Sequence, residues 1–165
     1  MKLYRFSPIK DEKTLKEALY YTHTQCYRLC YEAMREYLPV VGNIGIFCHY
    51  EEEYETLTQI SQQITDQNDA MHGKYFKLYN PITFAKEGDI PEAEYTYLYI
   101  RQPDPYRHHV GDVDFHLNSD SYSKMKTELQ NSKNIPCARV FPRGEPDMIE
   151  LHHPNIDALG YIISK

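Results

Sequence analysis

The sequence predicts an α+β fold, a single domain over residues 1–165 in which helices cover one face of a mainly antiparallel sheet. Three observations predict it. Apolar and polar side chains alternate in several short segments, as in strands with one buried face. A long segment near the start carries apolar residues at helical spacing. The order strand, helix, strand, strand also occurs twice, on either side of a proline-containing linker.

The first long element is a helix predicted over residues 11–37, which ends before Pro39. Its apolar stripe, at alternating steps of four and three, is Leu15, Leu19, Thr22, Cys26, Leu29, Ala33 and Tyr37. A second face carries Tyr20, Tyr27, Tyr31 and Met34. This second face predicts either a partner subunit, as in a homodimer, or tyrosines exposed at the surface.

The first half of the sheet is expected from residues 42–101. It reads as a strand at 43–50, a helix at 51–65, a polar loop at 66–73, and strands at 75–79 and 95–101. In the last strand, Leu98 and Ile100 share one face. The other face carries Tyr95, Tyr97, Tyr99 and Arg101. The pattern therefore predicts an aliphatic face under the helices and a tyrosine-rich face on the other side.

Residues 102–109 are a predicted stiff linker, because two prolines restrict the backbone there. The second half follows over residues 110–163. It reads as a strand at 110–117, a helix at 119–131 capped by Ser119 or Asp120, a strand at 138–141, a turn at 143–146, and strands at 148–153 and 156–163. The two halves thus repeat one βαββ-type order.

Composition narrows the function classes. The formal net charge is −6 and the pI is about 5.7, and the lysines and arginines are scattered, which disfavours nucleic acid and anionic membranes as partners. No apolar stretch is long enough to span a bilayer, and no signal-peptide pattern opens the chain, so we expect a cytoplasmic protein. We expect its four cysteines to be reduced. Sixteen tyrosines suit surfaces that hold a ligand.

One constellation could carry chemistry. Period-two geometry places Asp112, Asp114 and His116 on one side of their strand, and Glu150 with His152 on one side of theirs. If these strands are close, imidazoles and carboxylates converge in a set that suits Zn, Fe, Mn or Ni. The alternative is a solvated sheet face. The run Arg107–His109 similarly predicts either an anion-binding mouth or a plain linker.

Residues 109–154 carry a family resemblance. The segment His109-Val-Gly-Asp-Val-Asp-Phe, followed by a helix and then Asp147-Met-Ile-Glu-Leu-His-His-Pro, resembles the second module of the vicinal-oxygen-chelate superfamily, which includes glyoxalases, bleomycin-resistance proteins and extradiol dioxygenases. The resemblance implies two modules around a curved sheet that cups a metal. It also implies a histidine ligand at the start of a module, here His109 or His116, and a carboxylate ligand in its last strand, here Glu150.

The first half departs from that pattern. Asn43 opens its first strand where a ligand histidine would stand, and Tyr97 or Tyr99 takes the place of the carboxylate. Some members of the superfamily bind ligands without a metal, and the tyrosines of the first half resemble a site of that kind.

Two functions follow as hypotheses. The favoured one is a small-molecule-binding protein that holds its ligand on the tyrosine, histidine and carboxylate face, through Tyr97, Tyr99, Arg101 and Asp114. The alternative is a metal-dependent lyase or dioxygenase with a divalent metal at His109, His116, Glu150 and His152. Other catalytic signatures are absent from the pattern. Cys48 and His49 are strand neighbours on opposite faces, so they cannot pair as nucleophile and base, and no glycine-rich phosphate loop precedes a helix.

Overall fold

The computed structural model describes residues 4–104, 106–142 and 148–165. Within them lie the helices α1 (Glu12–Met34), α2 (Glu51–Ile64) and α3 (Ser119–Gln130). The strands are β1 (Val40–Phe47), β2 (Thr65–Met71), β3 (Tyr75–Phe84), β4 (Ala93–Arg101), β5 (Gly111–Leu117), β6 (Ala138–Phe141), β7 (Met148–His153) and β8 (Ile156–Ser164). These elements confirm the α+β class.

The strands form one open, mixed sheet in the order β2-β3-β4-β1-β5-β8-β7-β6. The β1–β4 and β5–β8 neighbours run parallel. All other neighbouring strands run antiparallel. A parallel pair needs a long crossover connection. In both halves that crossover consists of the helix and the two strands that separate the paired strands along the chain.

The two halves share one plan. In each, a strand and a helix are followed by three strands, and the first strand of the half pairs with the last. The halves meet at the antiparallel β1–β5 pair, where Ile44 lies opposite Val113 and Gly45 lies opposite Asp112. The centre of the sheet therefore brings the first strands of both halves side by side.

The core lies between the helices and one face of the sheet. Helix α1 packs mainly on β5, β7 and β8, while α2 packs on β2, β3 and β4 and α3 on β6 and β8. Phe115, Ile149, Leu151 and Ile162 are fully buried beneath the helices. Strand alternation correctly predicts this aliphatic face, because side chains two apart in a strand point the same way.

Helix α1 begins where the sequence predicts and ends slightly earlier. The Asp11 carboxylate accepts a hydrogen bond from the Thr14 backbone N–H and so caps the helix. At the other end Arg35 takes a left-handed conformation, with φ of 55°, which stops the helix before the predicted residue 37. Tyr20 and Tyr31 are 38% and 51% exposed, so a partner subunit on this face stays a prediction.

Three local expectations change. The predicted polar loop at 66–73 is wrong, because residues 65–71 form the edge strand β2. Its side chains are largely polar and solvent-facing, so no alternating pattern marks it. The cap of α3 is Asn118, whose side chain accepts from the Ser121 N–H, and not Ser119 or Asp120. The predicted turn at 143–146 lies outside the described residues.

In the described part of the chain, none of the helices is both long and apolar enough to cross a membrane.

Candidate functional site

The face of the sheet opposite the helices holds a cavity of about 420 Å³, which we call the cup. Aromatic, acidic and basic side chains line it, namely Phe47, His72, Lys74, Tyr75, Tyr99, Arg101, Arg107, Asp112, Asp114, Phe141, Pro142, Met148, Tyr161 and Ile163. They come from both halves of the sheet. The cup therefore spans the β1–β5 junction and is wide enough for a small organic molecule.

A buried pair of carboxylates on β5 lines the cup. Asp112 and Asp114 are only 6% and 4% exposed. Asn43 Nδ2 donates a hydrogen bond to Asp114 Oδ2 at 3.2 Å, and the Tyr75 hydroxyl also bonds to the Asp114 carboxylate. Burial raises the pKa of Asp114, although the bonds from Asn43 and Tyr75 oppose that rise. Burial and the nearby carboxylates raise the pKa of Tyr75, which keeps its hydroxyl a donor.

Gly45 makes room for this pair. A Cβ atom built on Gly45 would lie 3.3 Å from Asp112 Cγ and 3.4 Å from Tyr99 Cδ1, and would overlap Asp112 Oδ1. Any side chain at position 45 would therefore displace the carboxylate. The absence of a side chain on β1 lets Asp112 and Tyr99 approach each other over the centre of the sheet.

Cationic side chains stand near the rim of the cup. The Lys74 ammonium lies 5.2 Å from the ring centroids of both Tyr75 and Tyr99. Arg101 lies over the Phe47 ring at 4.7 Å and pairs with Asp104 at 3.2 Å. Lys74 follows the tight β2–β3 turn, in which Gly73 has φ of 68°. The cup thus combines acids within it with cations and aromatic rings around it.

A second cavity of about 450 Å³ adjoins the cup, and we call it the histidine pocket. Its lining is Arg107, His108, His109, Arg139, Glu150, His152, His153, Pro154 and Leu159. Arg107 lines both cavities. The cavities also meet at the β7–β8 pair, where Glu150 lies opposite Tyr161.

The carboxylate of the histidine pocket is neutralised. Arg139 donates from Nε and Nη2 to Glu150 Oε1, at 2.8 and 2.5 Å. Glu150 is 1% exposed, and the Tyr161 hydroxyl donates to its other oxygen at 3.4 Å. Charge-assisted bonds of this kind are about twice as strong as neutral ones. The acid is therefore held by protein partners on both oxygens.

Two histidines of this pocket, His109 and His152, have lowered pKa values. His109 stacks on His108 with ring centroids 4.4 Å apart. Burial, assisted by His108 and Arg107, lowers the pKa of His109 to about 4. Burial and Arg139 likewise lower the pKa of His152. Near neutral pH these rings are uncharged, and each offers one N–H donor and one acceptor.

The predicted metal residues divide between two places. His109, Glu150 and His152 line the histidine pocket. His116 lines neither cavity. Glu150 belongs to β7, so it is not in the last strand of its half, where the family resemblance places a carboxylate. Among the residues the structure describes, no three His, Cys, Asp or Glu side chains stand where they could hold a metal ion.

Three of the four predicted ligand-binding residues line the cup. Tyr99, Arg101 and Asp114 line the cup. Tyr97 does not, and its hydroxyl instead donates to Asp69 at 3.4 Å. Tyr95, which alternation placed on the same face, lies in the core and bonds to His23 at 2.9 Å. The β3–β4 register shifts between the Lys77–Tyr97 and Ile82–Tyr95 pairs, with the extra residues on β3.

Sequence reasoning missed several residues of the cup as ligand contacts. Tyr75 and Asp112 were visible as members of polar strand faces. Their proximity depends on strand order, which alternation does not supply. Gly45 offered no signal beyond its place in an apolar strand. Lys74 lay next to a predicted loop.

Comparison with known proteins adds a fold and no family. No protein-family model matches the chain, and no curated protein matches it. A solved structure described as the structural-genomics protein EC4020 superposes with a TM-score of 0.59 at 13% sequence identity, over 99% of this chain and 94% of that one. At this identity the likeness supports a shared fold alone.

Proposed function

We propose that this protein binds a small molecule in the cup, and that Asp112 and Asp114 grip a cationic or hydrogen-bond-donating group of that molecule. The observation that carries the proposal is the burial of two neighbouring carboxylates in a cavity of about 420 Å³. Burial raises the pKa of Asp114, so holding its charged form in this cavity costs stability. Such a cost is expected where the acids serve a ligand.

The surroundings define the ligand class. Tyr75, Tyr99 and Tyr161 line the cavity, and aromatic rings suit a flat or partly apolar body. The carboxylates accept hydrogen bonds, so the group that meets them is an amine, a guanidine or a set of hydroxyls. The ligand is thus expected to be an amphipathic molecule with its donor end against β5.

The strand order supports a finer proposal about the fold. A strand order in which the two halves mirror each other about β1–β5 is what two βαβββ modules of the vicinal-oxygen-chelate type would give. We include that arrangement, with its curved sheet, in the proposal. The metal implied by that family does not fit the described donors, since Glu150 is bonded to Arg139 and Tyr161. No reaction step is therefore derived through a metal, and the metal-dependent enzyme stays a prediction from the sequence.

The test is a panel of probes with and without the acid pair. Primary amines, guanidines and polyols, each in aliphatic and aromatic forms, are screened by thermal shift in buffer containing EDTA. Binders are then titrated by calorimetry against wild type and Asp114→Asn. We expect at least one amine or guanidine to bind, and to lose about tenfold in affinity in the variant, as for one charge-assisted hydrogen bond.

The matched control is Asp69→Asn, the same change on a partly exposed aspartate outside the cup. It should leave probe affinity unchanged. If no member of the panel binds wild type, or if a binder loses nothing in Asp114→Asn, the proposal is wrong.

A further inference from the structure

The histidine pocket differs from the cup in having a single carboxylate, which is already bonded to an arginine. Its wall carries two guanidinium groups, Arg107 and Arg139, and imidazoles of four histidines, but a single carboxylate, Glu150. The whole chain carries a net charge of −6. Against that acidic total, a cavity in which arginines outnumber acids is a local concentration of positive charge.

The acids near the pocket use only part of the N–H donors of its two arginines. Arg139 uses Nε and Nη2 on Glu150, so part of its five-donor guanidinium stays available. Arg107 approaches Asp104 through Nε at 3.5 Å. Both arginines are partly exposed, at 55% and 34% of the side chain. Each can therefore present N–H groups to a molecule that enters from solvent.

The hydrogen-bond donors of the histidine pocket come from three separate segments of the chain. Arg107, His108 and His109 come from the segment before β5, Arg139 from β6, and His152 from β7. Donors that converge from three segments of chain surround a group, while an isolated surface arginine meets it from one side only. Planar forked guanidinium groups match the oxygens of carboxylates and phosphates.

We propose that the histidine pocket is a second binding site, separate from the acid pair of the cup, that takes a small oxyanion or the phosphate or carboxylate group of a larger molecule. Arg107 and Arg139 supply the positive charge, and His108 and His152 supply ring N–H donors. Glu150 positions Arg139 and does not meet the anion, because both its oxygens are engaged within the protein.

The experiment is an NMR titration of ¹⁵N-histidine-labelled protein with sodium phosphate at pH 7 in EDTA. Sodium chloride of equal ionic strength is the reference, and sodium acetate is run in parallel to separate phosphate from carboxylate recognition. We expect saturable shifts of the imidazole signals of His108, His109 and His152. Signals of His23, a buried residue of α1, and of His116 should stay unchanged.

Variants locate the charge. Arg107→Gln is expected to lower the affinity of the pocket for the anion about tenfold. The double variant Arg139→Gln with Glu150→Gln removes the second arginine without leaving a buried acid unpaired. It should lower the affinity for the anion by a similar factor. The control Arg28→Gln makes the same charge change on an exposed position of α1, on the helix side of the sheet, and should have no effect.

The proposal is overturned by shifts that do not saturate, by equal shifts in all histidines, or by equal losses in Arg28→Gln and Arg107→Gln. These outcomes would mean general screening by salt. Because the anion probe does not need Asp114, failure here leaves the amine-binding proposal for the cup untouched.

Discussion

The two halves of the sheet share a backbone plan and differ in what they place on its open face. Both halves contribute aromatic rings to the cup, but the first half also contributes cations, Lys74 and Arg101. The second half contributes the acids, through Asp112 and Asp114. One strand plan therefore supports two kinds of wall, and the binding chemistry comes from side chains rather than from the fold.

The difference has a steric cause at the junction. Gly45 and Asp112 lie opposite each other in the β1–β5 pair, and a Cβ at Gly45 would overlap the Asp112 carboxylate. Only one of the two halves can carry a side chain at this central position. Next to this position the two halves also carry different side chains, since Asn43 on β1 donates to Asp114 on β5. Two unprotonated carboxylates at that distance would repel each other.

The largest effect is expected from making the halves alike in charge. Asn43→Asp puts a second acid beside Asp114, in a place that is 4% exposed. We expect a loss of about 3 kcal/mol in the free energy of unfolding at pH 7, because a buried charge gains no partner and a hydrogen bond is lost. Urea denaturation measures it. The double variant Asn43→Asp with Asp114→Asn exchanges the two roles and should recover most of the loss. A double variant as unstable as the single one would contradict this account.

Two equivalent hairpins give the next test. The β6–β7 hairpin holds the Arg139–Glu150 pair, with Glu150 1% exposed, while the β2–β3 hairpin holds Lys77–Asp69, with both side chains near half exposed. Arg139→Gln should cost roughly 1–3 kcal/mol, reduced by the exposure of Arg139, since it leaves a buried carboxylate with one weak partner. Lys77→Gln should leave the denaturation midpoint unchanged because solvent screens the pair. Equal effects at the two hairpins would show that burial is not the deciding difference.

Filling the centre of the sheet should affect binding more than folding. Gly45→Ala pushes the Asp112 carboxylate aside, and that carboxylate is the flexible end of its side chain. We expect an affinity for the amine probe lowered about tenfold, worth about 1.4 kcal/mol, with the fold retained by circular dichroism. Gly88→Ala is the control for binding: a Cβ there meets nothing within 4 Å, Gly88 does not line the cup, and the strain from its φ of 57° falls outside the site. Unchanged probe affinity in Gly45→Ala would remove Asp112 from the proposed site.

The smallest effect is a pH slope. The pKa of Asp114 is raised in the folded protein, so folding favours its protonated form. Its contribution to stability is therefore fully present below the pKa of the unfolded chain, and is lost as pH rises through the folded value. Asp114→Asn should flatten this part of the profile and raise stability at pH 7. Thermal unfolding across pH 3–8 measures it. A steeper slope in the variant would reverse the sign proposed here.

Much of the fold could be predicted from the sequence, because alternating apolar and polar residues indicate which face of a strand is buried. Val113 and Phe115 are fully buried and Asp112 and Asp114 face the cup, as period two requires. Alternation did not predict strand β2, because it is an edge strand whose side chains are mostly polar and at least partly exposed. Alternation places Tyr95 on the tyrosine-rich face, which is wrong, because its ring lies in the core against His23.

The candidate site was only half predictable for a related reason. Alternation indicates which side chains share a face within one strand. It does not indicate which strands are neighbours, and that decides whether Glu150 meets a metal partner or Arg139. The sequence grouped Glu150 with His116 on chemistry, whereas pairing between β6 and β7 sets Glu150 opposite Arg139. Strand order is set by long-range contacts that no local pattern records.

The position of α1 has a consequence for how the chain is made. The Cys26 thiol donates to the Leu159 carbonyl, 133 residues later in the sequence, and Tyr27 packs edge-on against Phe115. At a synthesis rate of roughly 5–20 residues per second, α1 waits on the order of ten seconds for the strands that cover it. During translation its apolar stripe therefore lies open to chaperones, and to other nascent chains on the same message.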